Sequence, residues 1–362
     1  MSAGGAEVIV VGAGLAGLTT ALALAERGAA VLLLADARRG EASPAAAGIL
    51  APSVEPAGGA ADALARAARD QYPAFVAGLS ERTGIEIPLN RAGVLEVPAA
   101  RAGGHAAQAD AAARWLDARE LAELEPALAH IAGARFHPHE GAVNTLVLIR
   151  ALKHALARTG RVAVVADAAE EVGFHAGHVT VRTRGGTSLE AQRVVLGTGA
   201  WAPELVGLPR PLPVAPVRGQ MMSVASRALR HVVFAGGGYA VPRPDGRTLV
   251  GSTWEHVGFD GGHTEAGAVA VRDIAGRISP RLGDAPRLNV WAGLRPMTPD
   301  GQPIVGAEPL QPALVYACGH SRNGVLLAPL TGSAAAAVAL GETPAVDLTP
   351  FRADRFGAVA AP

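Results

Sequence analysis

The sequence predicts a mixed α/β fold in two domains, one with a parallel sheet covered by helices and one with a mixed or antiparallel sheet. Three observations support this prediction. Residues 7–36 read as a strand, a glycine turn, a helix and a second strand, the order that a right-handed parallel crossover requires. Residues 171–197 read as a β-meander, and residues 211–259 are strand-rich and punctuated by Pro and Gly. The first unit is therefore Rossmann-like, and the later strands suit a second sheet.

Composition and charge narrow the class of protein. The chain has 362 residues, 49% of them hydrophobic, which is enough for two compact domains. The 32 Lys+Arg residues balance the 32 Asp+Glu residues, so we expect neither nucleic acid nor an anionic membrane as a partner. The single cysteine, Cys318, allows no internal disulfide and favours a reducing compartment. No signal or membrane-spanning segment is recognised, so we expect a cytoplasmic protein; no metal site is predicted, and homo-oligomerisation is left open.

The glycine turn predicts a dinucleotide site. Gly12, Gly14 and Gly17 have the G-x-G-x-x-G spacing, directly after the apolar run at residues 8–11 and at the start of a helical stretch. In this pattern the first glycine makes a tight turn, the second lets the backbone approach a pyrophosphate, and the third lets the helix pack on the strand. The helix N-terminus adds N–H groups and a partial positive charge. An ordinary glycine-rich turn is the alternative, and the complete crossover makes it the weaker one.

A carboxylate that would hold the ribose is expected where the second strand, residues 31–34, ends. Counting forward from Gly12 places Ala35 at that position, and Asp36 follows one residue late. Either the strand ends with a one-residue slip that brings Asp36 to the ribose, or backbone and water hold it. We favour Asp36.

The remaining elements follow from periodicity and capping signals. Helices are predicted at residues 61–83, 115–128 and 264–279, from a cap at Asn144 or Thr145 to Arg158, and in the segment 324–341 with Pro329 near its first turn. Strands are predicted in "IEIPLN" (85–90), "GVLEV" (93–97) and "RVAVVA" (161–166), and turns at 175–177 and 185–186. We expect the chain to pass between the domains more than once, with residues 1–86, 143–217 and 293–362 in the first domain and 87–142 and 218–292 in the second.

Three further loops suit close approach to a flat cofactor. "EASPAAAGILAP" (41–52) carries mostly small side chains, and "VVLGTGAWAPEL" (194–205) ends a strand with Gly197, Thr198 and Gly199. "YACGHSRNGVLLAP" (316–329) reads as strand, polar loop and helix start, so its backbone donors from 319 to 326 would face a ligand. Each loop alone has a plain structural reading: a small-residue loop, a strand exit and a capped helix.

An arginine follows an apolar run in "WAGLRPMTPDGQPIVG" (291–306). Arg295 is expected to be buried, and a buried guanidinium is almost always paired. Its planar fork suits a carboxylate ligand, while a permanent Asp or Glu partner is the structural alternative.

These motifs occur together, and in the same order, in the FAD-dependent D-amino-acid oxidase family, which the chain resembles from residue 8 to about 341. The set comprises the G-x-G-x-x-G turn, "AAAGILAP", "VVLGTGAWAPEL", "GYAVPRPDGRTLVGST", "WAGLRPMTPDGQPIVG" and "GHSRNGVLLAP". Within the family the chain is most similar to the glycine oxidases of thiamine biosynthesis. The resemblance implies that Arg295 clamps a substrate carboxylate, that Tyr239 assists, and that Arg322 lies beside the active site.

The same resemblance implies FAD as the cofactor, held without a covalent bond. The residues expected to contact it are Gly12, Ala13, Gly14, Leu15, Ala16, Gly17, Ala35, Asp36, Ala42, Ser43, Ala46, Ala47, Gly48, Ile49, Val172, Gly197, Thr198, Gly199, Gly293, His320, Ser321, Arg322, Asn323, Gly324, Val325 and Leu326.

The implied reaction is oxidative deamination of a small amino acid, glycine, sarcosine or another N-substituted glycine, with O2 reduced to H2O2. Two departures from the family pattern alter the pocket wall: Gly236, Gly237 and Gly238 precede the tyrosine, and Trp254 follows "GST". The alternatives are a D-amino-acid dehydrogenase or pathway-specific amine oxidase of the same fold, a nicotinamide-dependent dehydrogenase, and a non-catalytic dinucleotide-binding protein.

Overall fold

The structure, a computed structural model, describes residues 5–56, 58–98 and 112–357. Its strands, in chain order, are β1 (Ala6–Val11), β2 (Val31–Leu34), β3 (Ile49–Leu50), β4 (Leu89–Asn90), β5 (Val94–Glu96), β6 (Arg114–Asp117), β7 (Gly133–His137), β8 (Gly141–Val143), β9 (Val162–Val165), β10 (Ala169–His175), β11 (His178–Thr183), β12 (Ser188–Leu196), β13 (Ala215–Ala225), β14 (Val232–Ala235), β15 (Gly238–Pro242), β16 (Arg247–Gly251), β17 (Arg287–Met297), β18 (Ile304–Glu308) and β19 (Gln311–Cys318).

The α-helices are α1 (Leu15–Glu26), α2 (Ala42–Ala45), α3 (Ala60–Thr83), α4 (Ala118–Leu124), α5 (Thr145–Thr159), α6 (Glu265–Ile278), α7 (Pro280–Gly283) and α8 (Gly324–Ala339). Short 3-10 turns cover Pro126–Leu128, Gly199–Glu204, Thr349–Phe351 and Ala353–Phe356. In the part of the chain that the structure describes, none of the helices has the length and apolar character needed to cross a membrane.

The first sheet is the Rossmann-like one. Its order is β10-β11-β12-β1-β2-β9, with β1, β2, β9 and the end of β12 parallel, and β19 pairs with β12 and with β18. Alternate residues of β1 face opposite sides, as a pleated strand requires. Val8 and Val10 pack with α1, α3, α5 and α8, while Ile9 and Val11 pack with the β10–β11 meander. The predicted crossover and meander are therefore confirmed.

The second sheet is the mixed one, ordered β17-β13-β16-β15-β14-β5-β7-β6. One face packs against α6 through a cluster that includes Met222, Val250 and Ile274. Cross-strand register fixes which residues share the opposite face: Met221 pairs with Gly251, and Gly251 pairs with Tyr239. This opposite face forms part of the candidate site.

Capping residues account for several helix ends. The side chain of Asn144 accepts a hydrogen bond from the Val147 N–H at 3.3 Å, which confirms the predicted cap of α5, and Gly160 ends the helix in the left-handed conformation. Pro329 lies further inside α8 than predicted. Because proline has no N–H, the Val325 carbonyl loses its helical donor, and the buried Tyr72 hydroxyl donates to that oxygen at 2.7 Å instead.

Two predicted elements were wrong in part. The helix predicted at 115–128 is strand β6 followed by α4, because Asp117 and Glu120 form a reciprocal capping box that starts the helix only after Asp117. The strand predicted at 85–90 is reduced to β4 at Leu89–Asn90, since Pro88 has no N–H to donate to a ladder. The predicted domain boundaries near 217 and 293 fall inside β13 and β17, and the division into domains remains a prediction.

Candidate active site

One large cavity gathers nearly all of the predicted site residues. Its volume is about 1140 Å³, and it is bounded by the β1–α1 turn, the loop around α2, the end of β12, the start of α8 and the open face of the second sheet. The wall includes the predicted residues Gly12, Ala13, Gly14, Leu15, Ala16, Asp36, Ala42, Ser43, Ala46, Ala47, Gly48, Ile49, Gly197, Thr198, Gly199, Tyr239, Gly293, Arg295, His320, Ser321, Arg322, Asn323, Gly324, Val325 and Leu326.

Gly17, Ala35 and Val172 do not line this cavity. A Cβ on Gly17 would lie 1.8 Å from the Gly12 carbonyl oxygen, so this glycine is required for helix packing, as its place in the pattern predicts. The Ala35 N–H donates to the Val165 carbonyl at 2.9 Å, and the neighbouring Asp36 reaches the wall. The place of Asp36 on the wall is compatible with the predicted ribose contact, and this contact stays a prediction. Val172 is buried under the meander, 2% exposed.

Glycines bring three backbone segments together at one end of the cavity. Gly12 has φ of +102°, and a Cβ there would lie 2.5 Å from the Gly197 carbonyl oxygen. Gly197 in turn faces the backbone of Gly17, which an added Cβ would approach to 3.1 Å. A side chain at Gly12 is excluded, and one at Gly197 would require the Gly17 backbone to shift, so the β1–α1 turn and the exit of β12 form one close-packed unit.

Two helix N-termini open onto the cavity. Gly14 caps α1 without a side chain, and the Leu15 N–H donates to the Ser43 hydroxyl at 3.0 Å. The second is α8, where Asn323 makes no side-chain cap. Both helices direct backbone N–H groups and a partial positive charge at the same space, which favours an anionic or electron-rich ligand.

Two buried hydroxyls on the wall have no hydrogen-bond partner among the described residues. They are Thr198 Oγ1, after β12, and Ser321 Oγ, in the loop before α8. Buried polar groups of a folded protein are nearly always paired, so these two point to a polar ligand. The close-packed turns at Gly12, Gly17 and Gly197 form a glycine cradle. Together with this cradle and the two helix N-termini, the two hydroxyls fit a flavin dinucleotide.

Arg295 is only partly buried, less than the sequence predicts, and its partners differ from those of the well-buried arginines. Arg210 makes a bidentate ion pair with Glu308, and Arg218 pairs with Glu255. Arg295 has no carboxylate within 4.0 Å in the described part of the chain; it donates to the Ser252 hydroxyl and, at 3.4 Å, to the Thr253 carbonyl. Its guanidinium also lies 5.3 Å from the centre of the Trp254 ring. Neutral partners leave its charge available to a ligand, so the alternative of a permanent acidic partner is not supported.

Backbone geometry positions this arginine. Gly219 and Gly293 lie opposite each other on β13 and β17. A Cβ on Gly219 would lie 2.2 Å from an Arg295 guanidinium nitrogen, and a Cβ on Gly293 would lie 2.6 Å from the Ala45 Cβ. The paired glycines form a trough that holds the guanidinium on the cavity side of the sheet.

Tyr239 lies beside Arg295 on the same face. Its hydroxyl is 3.7 Å from the Met221 sulfur, and burial raises the pKa of Tyr239 above its ordinary value, opposed in part by the Arg295 charge. The phenol therefore stays protonated at neutral pH and can donate a hydrogen bond into the cavity. Trp254, half exposed, closes the wall on the other side of Arg295.

Sequence reasoning missed Glu55. Its carboxylate lies on the wall 3.8 Å from the Arg322 guanidinium, which also donates to the Pro56 carbonyl at 2.7 Å. Burial raises the pKa of Glu55, and the charges of Arg322 and Arg295 act in the opposite direction. The only sequence signal was its place just after the small-residue loop, which does not distinguish it from a surface glutamate.

Cys318 and His320, the cysteine and the histidine among the described residues of the cavity wall, are both buried. Burial raises the pKa of the Cys318 thiol to about 12, so the nucleophilic thiolate is scarce at neutral pH. His320 is 4% exposed, its Nε2 lies 3.0 Å from the Thr331 hydroxyl, and burial lowers its pKa to about 4. A neutral imidazole tied to α8 suits a structural role.

Fold and site together define a flavin-dependent oxidoreductase, and comparison with known families agrees. Residues 7–338 match the FAD dependent oxidoreductase family, DAO, and the chain belongs to it. FAD is the cofactor of this family, and the cradle, helix N-termini and unpaired hydroxyls of this chain fit it.

Among individual proteins, the chain is 34% identical over 376 residues to glycine oxidase of Geobacillus kaustophilus, covering 96% of this chain and 97% of that one. The crystal structure of that enzyme superposes with a TM-score of 0.88, covering 97% and 98% of the two chains. The bifunctional protein ThiO/ThiG of Synechocystis is 34% identical over 97% of this chain, which spans about half of it, 54%. The structure of iminodiacetate oxidase from Chelativorans, 25% identical, has a TM-score of 0.89 and covers 96% and 99%.

Proposed function

We propose that the protein oxidises glycine-type amines, namely glycine, sarcosine or another N-substituted glycine, at the Cα–N bond. The products are a 2-oxo acid and the released amine or ammonia, and O2 is reduced to H2O2. The observation that carries this proposal is Arg295, a partly buried guanidinium on the cavity wall whose partners in the described chain are neutral. A substrate carboxylate supplies the charge that it lacks.

Arg295 and Tyr239 bind and orient the substrate. The planar guanidinium accepts a carboxylate in bidentate fashion, and the protonated phenol donates a further hydrogen bond. Two fixed contacts at the carboxylate restrict where the Cα–H bond can point, and this positioning reduces the entropy that must be lost on reaching the transition state. Trp254 and the cavity-side face of the second sheet form the wall at this end of the cavity.

FAD supplies the two-electron acceptor when it is bound. The chain's own contribution at the amine is Glu55, the wall carboxylate that is coupled electrostatically to Arg295 and Arg322. The Glu55 carboxylate can accept a proton from the substrate ammonium. Because its pKa is raised toward neutral pH, it is a stronger base than an exposed carboxylate. Oxidation gives an imine of the substrate, which water hydrolyses to the oxo acid.

Two relatives support the substrate class. One is named glycine oxidase and covers nearly the whole chain. The other is named iminodiacetate oxidase, and iminodiacetate is itself an N-substituted glycine. Both names fit a site that fixes one carboxylate and tolerates change at the nitrogen.

A peroxide-coupled screen tests the proposal. The purified yellow protein is assayed with glycine, sarcosine, N-ethylglycine, D-alanine and glycine methyl ester. We expect peroxide from the N-substituted or free glycines and little from the ester, which lacks the charge that Arg295 binds. Anaerobic bleaching of the flavin without peroxide in air would mean that O2 is not the acceptor and would favour the dehydrogenase alternative. Absence of both bleaching and peroxide across the panel would overturn the proposal.

A further inference from the structure

The cavity extends beyond the place of the substrate along one row of the second sheet. Tyr239 is the cross-strand partner of Phe234, Phe234 of Glu96, and Glu96 of Arg135. Directly paired residues lie on the same face of a sheet, and all four line the cavity. Since neighbouring strands are about 4.8 Å apart, Glu96 is roughly 10 Å and Arg135 roughly 14 Å from Tyr239 along this row.

Three glycines, Gly236, Gly237 and Gly238, leave the cavity open between Tyr239 and the far end of this row. Gly237 has φ of +81°, and an added Cβ there would meet no atom within 4 Å. Gly236 and Gly238 are fixed by packing instead, because their Cβ atoms would approach Arg277 to 2.7 Å and the Gly251 carbonyl oxygen to 2.4 Å. The wall is therefore free of side chains toward Phe234, whereas Trp254 narrows it on the other side of Arg295.

The far end of the row carries Arg135, whose ion pair with Glu96 is long. Glu96 already holds the buried His137 ring nitrogen at 3.0 Å, and Arg135 approaches Glu96 only to 3.9 Å. Among the described residues the Arg135 guanidinium makes no hydrogen bond, and 38% of its side chain is exposed. A guanidinium whose N–H donors make no hydrogen bond among the described residues suits an anion on this cavity wall, and a carboxylate matches its fork best.

We propose that this row is a second subsite, which selects N-substituted glycines whose substituent ends in a carboxylate bound by Arg135. The inference rests on the proposed function, which leaves Cα unsubstituted, so that any extension of the substrate must start at the nitrogen. The substituent passes Gly237, lies along Phe234 and ends at Arg135. The reaction is unchanged: one hydrogen from Cα and one from the nitrogen leave with two electrons, and O2 takes them up to become H2O2. Water then hydrolyses the imine to glyoxylate and the tail-bearing primary amine.

Binding of amide analogues tests the subsite without turnover. N-acetylglycine, N-hexanoylglycine and N-adipoylglycine share the glycine carboxylate and differ in their tails, and the amide nitrogen is a poor substrate for oxidation. Calorimetric titration of the FAD-loaded protein should show N-adipoylglycine binding roughly 10-fold or more tightly than N-hexanoylglycine, the gain expected of a charge-assisted hydrogen bond. In Arg135→Gln this preference should fall to about threefold or less, while N-acetylglycine binds as before.

Two matched controls separate the subsite from general effects. Arg114→Gln removes the same residue type from the neighbouring strand, where Arg114 pairs with Phe136 on the opposite face, and should keep the preference. Gly237→Asn narrows the passage and should weaken both long ligands but not N-acetylglycine, since asparagine tolerates a positive φ. Gly177→Asn places the same change at a hairpin turn with φ of +84° and equally open surroundings, and should alter nothing.

The outcomes distinguish this inference from the proposed function. Equal affinity for the adipoyl and hexanoyl ligands in the unaltered protein, or a preference that survives in Arg135→Gln, would overturn the subsite while leaving glycine oxidation intact. Failure of N-acetylglycine to bind and of glycine-type amines to be oxidised would overturn the proposed function itself.

Discussion

At the scale of single residues, partner chemistry separates structural from ligand-binding arginines. Arg210 and Arg218 are neutralised by carboxylates, and Arg243 donates to the backbone carbonyls of Val143 and Ala47. Arg295 alone among these four combines neutral partners with a place on the cavity wall. Unpaired charge in a concave site is costly unless a ligand compensates it, so the substrate is the expected partner.

Replacement of Arg295 should therefore damage substrate binding and spare the cofactor. We expect Arg295→Ala to raise KM and lower kcat/KM by roughly 10² to 10³ or more, because the substrate carboxylate loses its charged partner. Arg295→Lys should recover only part of the loss, since an ammonium cannot form two parallel hydrogen bonds. Steady-state kinetics on the best amine measure both, with flavin absorbance read in parallel. An unchanged kcat/KM in Arg295→Ala would exclude the carboxylate clamp.

His320 gives a prediction about pH. Its pKa is lowered by burial to about 4, against 6.5 for an exposed histidine. Between about pH 6.5 and 4 the His320 ring is therefore protonated in the unfolded chain and neutral in the folded one. The free energy of unfolding falls with pH over this range, and the loss reaches about 3 kcal/mol at the lower end. Melting temperatures of the wild type and His320→Asn, measured from pH 7 to 4, should converge as pH falls. Parallel curves over that range would contradict the assignment of a neutral buried ring.

At the scale of elements, the pairing of β13 with β17 sets the position of the Arg295 side chain. Register places Gly219 opposite Gly293 and sets Arg295 two residues further along the same face. The side chain then lies over Gly219, where any Cβ would overlap it. A one-residue slip in this pairing would turn Arg295 to the face covered by α6.

Gly219→Ala tests this trough. The added methyl group must push the Arg295 guanidinium from its position, so we expect a rise in KM of about tenfold or more and nearly normal flavin content, because misplacement by a fraction of an ångström weakens a bidentate contact. Gly276→Ala in helix α6 is a suitable control, since the nearest atom to a Cβ there, the Gly283 Cα, is 4.0 Å away. Equal kinetics in Gly219→Ala and wild type would show that the arginine has more freedom than the structure gives it.

At the scale of the whole molecule, the loop around α2 is held by groups from distant parts of the chain. Trp291 donates its ring N–H to the Ala45 carbonyl at 2.9 Å, Thr145 donates to the Ala46 carbonyl, and Arg243 donates to the Ala47 carbonyl at 2.8 Å. These contacts tie the cavity-lining loop to the second sheet and to α5. Cofactor binding and overall stability should therefore be linked.

The Arg243→Met variant tests whether cofactor binding and overall stability are linked. Burial lowers the pKa of Arg243 to about 10, and the change to methionine leaves two buried carbonyl oxygens without their donor. We expect a loss of about 1.5–3 kcal/mol of stability and weaker FAD retention, followed as melting temperature at fixed FAD concentration. Arg247→Met, which removes an exposed ion pair with Asp245 on the neighbouring strand, should cost less than about 1 kcal/mol. Similar losses in the two variants would argue against the proposed coupling.

The sequence by itself determined the elements whose signals are local. The glycine spacing of the first turn, the Asn144 cap and the hairpin turns depend on backbone conformation and neighbouring residues, and all appear in the structure as predicted. The same local logic failed at Trp115, where exposed strand pairing with β7 decided the outcome, and at residues 85–88.

Only the tertiary structure decided which side chains meet. The place of Glu55 beside Arg322, the neutral partners of Arg295 and the row from Tyr239 to Arg135 all join residues far apart in the chain. Sheet register and the route of each loop set these contacts, and neither is encoded in any short stretch. The sequence therefore specified the glycine turns of the cavity, which depend on neighbouring residues, while the surroundings of Arg295 were decided only by the pairing of distant strands.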